Sequence, residues 1–546
     1  MNFCDNCGAD LREHKDARFC WNCGNSLNIS ELSNTRTPIS SSLDFDSNKN
    51  SSFKSGFDTY GIILTHVPAL SVQLNCNETE IEMLISDYIE SLEKTGHQYI
   101  FIDASNNSYK TLSQDDNWVE FVELLKNVYS DLSPRPEYLF IIGGHDVIPM
   151  AIINNEPACY ADDIDIDTDM PYSYLKADDF ENLLWSGKIF RESVYLYSGR
   201  LPIPSDSHID TLAQYLNKAV KALDYGVAIN SCYGMTAESW VAASRKIIEN
   251  VDTIKKLHTS PDIDLYNVDG VFNTSAQLYY FNLHGSDAPG SPEFFGDSDK
   301  AISPDFLRNA ENLNFLISEA CYGAKFIDYD IDDCMLLTAI HSNTITFAGS
   351  SRVAFGAANE NLSSADIIAK SFIDILFNGY SSGKALSQAR IDVYDACSDD
   401  HFEYGTTSAV EFNLFGEPIL SSSKASKKKK NELKYLKSGL KSKSFSRTRP
   451  TRKEIIFKNV EKGILNDTRN LVNKEVSKIR DIINKSLYEQ FNVEPRDLTA
   501  VFHITGKYGE KTYNYVYKNK NKSDINNVYS VFSDNHGKIK SILITK

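Results

Sequence analysis

From residue 57 to about 420, short apolar runs alternate with segments whose apolar residues recur at helical spacing. "YGIILTH" is followed by "TEIEMLISDYIESLEKTG", and "QYIFIDA" by "WVEFVELLKNVYSDL", before "EYLFIIGG". Continuous apolar runs predict strands buried on both faces, and the amphipathic segments predict crossover helices. The pattern resumes with "SVYLYSGR" and a helical "HIDTLAQYLNKAVKAL". A second series holds "GVAINSCYG", the helical "ESWVAASRKIIENVDTIKKL", "QLYYFNLHG" and a helix near "PDFLRNAENL". The apolar runs "LNFLISEAC", "CMLLTAI" and "TITFAGS" follow. The predicted fold class is α/β: a parallel-sheet core of two α/β units, 57–225 and 226–420, divided near Tyr225 and Gly226.

The flanks break this pattern. Residues 1–27 contain "CDNCG" and "CWNCG", each followed by two residues and Leu. Cys4 and Cys7 form one Cys-x2-Cys pair, Cys20 and Cys23 the other. Four thiolates from two such turns can surround one Zn2+ tetrahedrally, and so short a segment has too little core to fold without metal. A structural zinc ribbon is expected there, suited to binding protein or nucleic acid or to serving only as a folded tag. Residues 28–56 are rich in Ser and Asn and read as a flexible linker. Residues 421–453 form a lysine- and arginine-rich linker; a solvated tether, an anionic partner or a processing site would each use such a run. Residues 454–546 predict a small α+β domain: a helix in "NDTRNLVNKEVSKIRDIINKSLYEQF", then the strands "LTAVFHITG", "TYNYVYK", "VYSVFSD" and "KIKSILIT". No chemical motif stands out in it.

Composition narrows the setting. The chain of 546 residues carries 56 Lys and Arg against 74 Asp and Glu, a net charge of −18. That balance argues against a nucleic-acid partner for the core. No apolar run is long enough for a membrane span, and the start "MNFCDNCGAD" has no secretory pattern, so a cytoplasmic protein with reduced or metal-bound cysteines is expected.

Ligands of open α/β sheets bind beyond the carboxyl ends of the strands. "QLYYFNL" ends in His284-Gly285, and "LNFLISEA" ends in Cys321. The 37-residue step from His284 to Cys321 suits one crossover, so adjacent parallel strands would bring both side chains to one edge. A thiolate is a nucleophile and a nearby imidazole can shuttle its proton. The backbone N–H groups of Gly285 and Cys321 could then receive a developing oxyanion. A buried core histidine beside an inert buried cysteine would leave the same sequence trace. Cys76, Cys159, Cys232, Cys334 and Cys397 have no such pairing.

With "FNLHG" and "SEACYG", the chain resembles the caspase-like (clan CD) cysteine peptidases. The caspase signature Gln-Ala-Cys-x-Gly is met as Glu319-Ala320-Cys321-Tyr322-Gly323, with Glu in place of Gln. "LFIIGGHDVIPM", "TDMPYSYL" and "YSGRLPIP" are most similar to the gingipain-like branch, and "FAGSSRVAFG" and "LFGEPIL" suit the end of its peptidase domain. This resemblance spans 57–420. It implies a caspase/gingipain-like fold and an endopeptidase with Cys321 as nucleophile, His284 as general acid/base, and an oxyanion hole at Gly285 and Cys321. It also implies that Asp169 lines the primary specificity pocket and favours cleavage after Arg or Lys, although Thr168 stands where the branch has Ser. Such an enzyme could cut its own basic linker.

Two alternatives stay open. The alternating Asp163, Asp165, Asp167 and Asp169 could offer oxygen ligands to Ca2+, although they do not follow the EF-hand pattern. A catalytically silent caspase-like scaffold could instead recruit a regulatory protein through the zinc ribbon or the C-terminal domain. The zinc expectation has a direct check. Metal analysis of the purified chain should find about one Zn2+ per molecule. Replacing Cys4 and Cys20 together by Ser should abolish it, and a metal-free wild type would overturn the reading.

Overall fold

A computed structural model of the chain describes residues 53–155, 165–205, 207–251, 257–268, 276–288, 290–397, 402–422, 452–458, 474–505, 511–520, 526–534 and 537–546. Cys4, Cys7, Cys20, Cys23, Asp163 and almost all of both linkers lie outside the described residues.

The first unit contributes β1 (Thr59–Thr65), β2 (His97–Asp103), β3 (Tyr138–Ile142), a hairpin of β4 (Ala151–Asn154) and β5 (Asp165–Thr168), and β6 (Tyr197–Leu201). The second contributes β7 (Cys232–Ala237), β8 (Leu257–Ser260), β9 (Leu278–Asn282), a hairpin of β10 (Phe294–Phe295) and β11 (Lys300–Ile302), β12 (Phe315–Ser318), β13 (Thr346–Ser350), β14 (Phe355–Ala357) and β15 (Phe412–Gly416). Ten of these strands form one sheet in the order β2-β1-β3-β6-β15-β13-β12-β9-β7-β8. β15 is its seam: it runs parallel to β6 and antiparallel to β13. Each half is otherwise parallel, so the two halves run in opposite directions. The fold is mixed α/β with a large, mostly parallel central sheet.

Burial explains the continuous apolar runs. Every residue of β3, β9, β12, β13 and β15 is buried, which requires cover on both faces. The helix Ile209–Tyr225 ends at Gly226, whose φ of 67° lies in the region a side chain avoids. That stop coincides with the change from one half of the sheet to the other.

Two segments differ from the sequence pattern. "CMLLTAI" is the helix Met335–His341, capped by the Cys334 sulfur accepting from the Leu337 N–H. A short apolar run has no periodicity strong enough to separate helix from strand. "GVAINSCYG" turns into a strand only at Cys232, because the Gln277 side-chain carbonyl accepts from the N–H groups of Asn230 and Ser231 just before it.

The remaining strands are β16 (Arg452–Lys458), β17 (Leu498–Thr505), β18 (Lys511–Lys520), β19 (Asn526–Asp534) and β20 (Ile539–Thr545). The helix Lys474–Phe491 packs Ile479, Ile483 and Leu487 into the chain's buried core. The sheet has six strands, β14-β20-β19-β18-β17-β16, and its sixth member, β14, belongs to the second unit. Tyr404 reinforces the junction. Its ring meets Phe355 and Phe532 edge-on at 4.8 and 5.8 Å, and its hydroxyl pairs with Ser530.

Candidate active site

β9 and β12 are adjacent and parallel, with Phe281 opposite Ser318. His284 and Cys321 each lie three residues further on, so both leave the sheet at the same level. The Glu319 N–H donates to the Phe281 carbonyl at 2.9 Å and extends the ladder toward them. Gly285 is forced by space: a Cβ there would sit 1.8 Å from the Cys321 carbonyl oxygen. Tyr322 takes a φ of 54°, a left-handed conformation that turns the chain sharply just after the cysteine. The Tyr322 N–H donates to Arg352 and the Ala324 N–H to Ser350, which hold that turn against the end of β13.

His284 is fixed from several sides. Its backbone exchanges hydrogen bonds with Phe295 at 2.8 and 2.9 Å. Its ring lies 4.4 Å from that of Trp240, and its Nε2 is 3.5 Å from Asp297 Oδ1. The two groups form an ion pair only when the imidazole is protonated, and their geometry does not make a hydrogen bond. The Ser239 N–H donates to the other Asp297 oxygen at 2.9 Å. Burial works against the Asp297 charge, but His284 and Ser239 outweigh it and hold its pKa below the ordinary value. Nδ1 of His284 is buried without a hydrogen-bond partner among the described residues. Cys321 is 5% exposed, and its Sγ is 3.5 Å from the Ala354 carbonyl. A small cleft lined by Ser286, Pro292, Phe294, Tyr322 and Lys325 opens onto it.

Beside Cys321 is an acidic pocket. Asn282 ends β9, Glu319 follows β12, and Asp366 stands in the first turn of the helix Ala365–Phe377. Their oxygens surround the ammonium of Lys546 at 2.8, 2.6 and 2.6 Å. All three N–H donors of the ammonium thus have an acceptor. Trp240 covers the group, with the ammonium 5.3 Å from its ring centroid. The Tyr280 hydroxyl donates to the second Glu319 oxygen at 2.6 Å, and the N–H groups of Ala357 and Ser363 donate to the second Asp366 oxygen. Burial pushes the Glu319 carboxyl up to about 7; the Lys546 ammonium pulls against this and the Asp366 carboxylate adds to it. Burial also opposes the Lys546 charge, yet Asp366 and Glu319 more than compensate and raise its pKa.

The structure brings His284, Gly285 and Cys321 together, and it pairs Asp169 with Arg200. Both Asp169 oxygens are taken by Arg200, through Nε at 2.8 Å and Nη2 at 2.6 Å. Arg200 is fully buried and its Nη1 also donates to the carbonyls of Gly143, Gly144 and Ile148. The carboxylate expected to meet a substrate cation is therefore already neutralised by an internal one. Asp167 is likewise paired with Arg352, at 2.8 Å. Among the described residues no group of three or more ligating side chains could hold a metal. Sequence reasoning missed Asp297, Asp366 and the pocket role of Glu319. Only Glu319 left a trace, as the one departure from the Gln-Ala-Cys signature.

The fold and the strand-end cysteine define a caspase-like cysteine peptidase. The family model "Peptidase family C25" matches residues 98–423, more than half of the sequence, and the chain belongs to that family. No curated protein matches it. Among solved structures it is similar to the Arg-specific cysteine proteinase gingipain R, at 13% identity over 91% of this chain and 98% of that one, TM-score 0.47. It is similar to the complex of Porphyromonas gingivalis RgpB pro- and mature domains, at 12% over 88% and 99%, TM-score 0.47. The separase–securin complex of Saccharomyces cerevisiae matches at 13% over 57% and 18%, TM-score 0.32. No helix among the described residues is long and apolar enough to cross a membrane.

The Asp169–Arg200 pair can be told from a substrate contact. Asp169→Ala strands a buried guanidinium and should cost about 3–5 kcal/mol of stability. Urea unfolding of the variant should show that loss, with no change in its preference between Lys and Arg peptides. A changed preference at unaltered stability would return Asp169 to the substrate pocket.

Proposed function

We propose that the protein is an endopeptidase that cuts after basic residues, lysine above arginine, through Cys321 and His284. The observation that carries this reading is the acidic pocket beside Cys321, with three acceptors converging on one ammonium. A compact point charge suits that arrangement, whereas a planar guanidinium would leave donors unmatched. An uncharged side chain would leave two carboxylates facing each other out of water.

In the proposed chemistry the Cys321 thiolate attacks the carbonyl carbon of the basic residue. His284 takes the thiol proton and passes it to the departing amine, and then activates the water that hydrolyses the thioester. The N–H groups of Cys321 and Gly285 receive the oxyanion. Asp297, 3.5 Å from Nε2, would stabilise the imidazolium that forms when His284 takes the proton. The setting proposed is the cytoplasm, where Cys321 and the zinc thiolates stay reduced. Structural zinc at Cys4, Cys7, Cys20 and Cys23 completes the reading. The ribbon and the C-terminal domain are the proposed contacts for a regulatory protein.

Reporter peptides ending in Lys, Arg or Gln before the leaving group test this reading. Wild type should cleave the Lys peptide fastest, and Cys321→Ala should cleave none. A wild type that binds Lys peptides yet cuts nothing would favour the silent scaffold. The pH response identifies the pocket. Glu319 attracts a cation only when ionised, so the advantage of wild type over Glu319→Gln on the Lys peptide should grow as pH rises through about 7. A constant ratio across that range would remove Glu319 from substrate binding. The basic linker, 421–453, offers such an enzyme its own lysines and arginines. Intact masses should show fragments of wild type that are missing in Cys321→Ala, and equal fragmentation would exclude self-processing.

A further inference from the structure

The pocket beside Cys321 is occupied by the chain itself. β20 lies antiparallel to β14, with Leu543 opposite Ala357, Ile544 opposite Gly356 and Thr545 opposite Phe355. The ladder continues one step further: the Lys546 N–H donates to the Ala354 carbonyl at 2.9 Å. The Lys546 carbonyl oxygen then accepts from the Cys321 N–H at 2.8 Å. That N–H is the proposed oxyanion donor, so the Lys546 carbonyl stands where the reacting carbonyl of a substrate would stand. The Lys546 side chain enters the acidic pocket and is fully buried there. Gly356 makes the entry, since a Cβ on it would lie 1.8 Å from Lys546 Cε and 2.8 Å from Asp366 Oδ1.

These contacts match recognition by strand addition, in which the main-chain ladder supplies affinity and a pocket selects one side chain. We propose that Leu543–Lys546 is a tethered occupant of the substrate groove. The groove is then a site for an extended strand that places a lysine in the acidic pocket, and it stays closed to other peptides until β20 withdraws from β14. This rests on the peptidase reading for the word substrate; the occupancy rests on the geometry alone.

Tethering makes the occupant effective. β20 is anchored in the antiparallel sheet through β19, and that sheet is docked on Tyr404, so the segment is presented at high local concentration. Withdrawal also leaves Glu319 and Asp366 facing each other without a cation, a cost that an incoming lysine removes and a neutral residue does not. A substrate therefore has to exchange one lysine for another.

The test uses the full chain and reads Cys321 alkylation by iodoacetamide, located by peptide mapping, together with hydrolysis of acetyl-Ile-Thr-Lys-aminomethylcoumarin. Lys546→Ala should raise the alkylation rate about tenfold or more and lower KM for the reporter, as expected when the competent fraction rises. Free acetyl-Ser-Ile-Leu-Ile-Thr-Lys should slow alkylation of the variant again, and the same peptide ending in Glu should not. Equal alkylation of wild type and variant, or equal slowing by both peptides, would overturn the proposal. Faster alkylation without hydrolysis by either protein would uphold the occupancy and defeat the peptidase reading. Hydrolysis with unchanged alkylation and KM would do the reverse. If Lys546→Ala does not fold, Lys546→Arg serves, because a guanidinium cannot meet the three acceptors in the same way. It should give an intermediate alkylation rate, and a rate equal to wild type would count against the proposal.

Discussion

The parallel pairing of β9 with β12 is the constraint on which the site depends. With Phe281 opposite Ser318, three further residues on each strand set His284 beside Cys321. A slip of one residue would send one of the two side chains to the opposite face. The pairing is protected by burial, since both strands are covered on both faces and bounded by paired neighbours. The same strand ends carry Asn282 and Glu319, two residues before His284 and Cys321 respectively. One register therefore positions both the proposed chemistry and half of the acidic pocket.

The other half of the pocket shows how buried charge calls for a cation. Asp366 comes from a helix far along the chain, and its second oxygen is held by the N–H groups of Ala357 and Ser363. Fixed in this way, it cannot turn away from Glu319. Two carboxylates in a dry site require a cation between them, or a proton on one of them. Asp169 shows the same rule with another outcome. Arg200 is built in beside it, and the pair supports the loop after β3 through the carbonyls of Gly143, Gly144 and Ile148. Asp169 meets a guanidinium from within the same unit, whereas Glu319 and Asp366 meet a lysine carried at the end of β20.

The C-terminal sheet is joined to the peptidase unit by backbone pairing. β14 is an edge, and an edge offers free N–H and C=O groups to any extended segment. β20 satisfies them here. Under the proposal above, recognition and closure would use one set of hydrogen bonds.

Much of this was legible in the chain. Continuous apolar runs announced buried strands, the crossover between "FNLHG" and "SEACYG" placed His284 and Cys321 at one edge, and Gly285 marked the close approach. The seam at β15, the helical state of "CMLLTAI" and the pairing of β14 with β20 were not legible. They depend on which neighbour each segment finds, and local pattern does not encode partners. The specificity carboxylate was the clearest case. A carboxylate's meaning is set by the charge that faces it, and Asp169, Glu319 and Asp366 look alike in the sequence. The sequence by itself determined the strands and the strand-end residues that carry the proposed chemistry, because burial and periodicity are local. Only the tertiary structure decided that Arg200 takes Asp169 while Lys546 lies between Glu319 and Asp366, because ion pairing joins residues 31 to 227 positions apart in the chain.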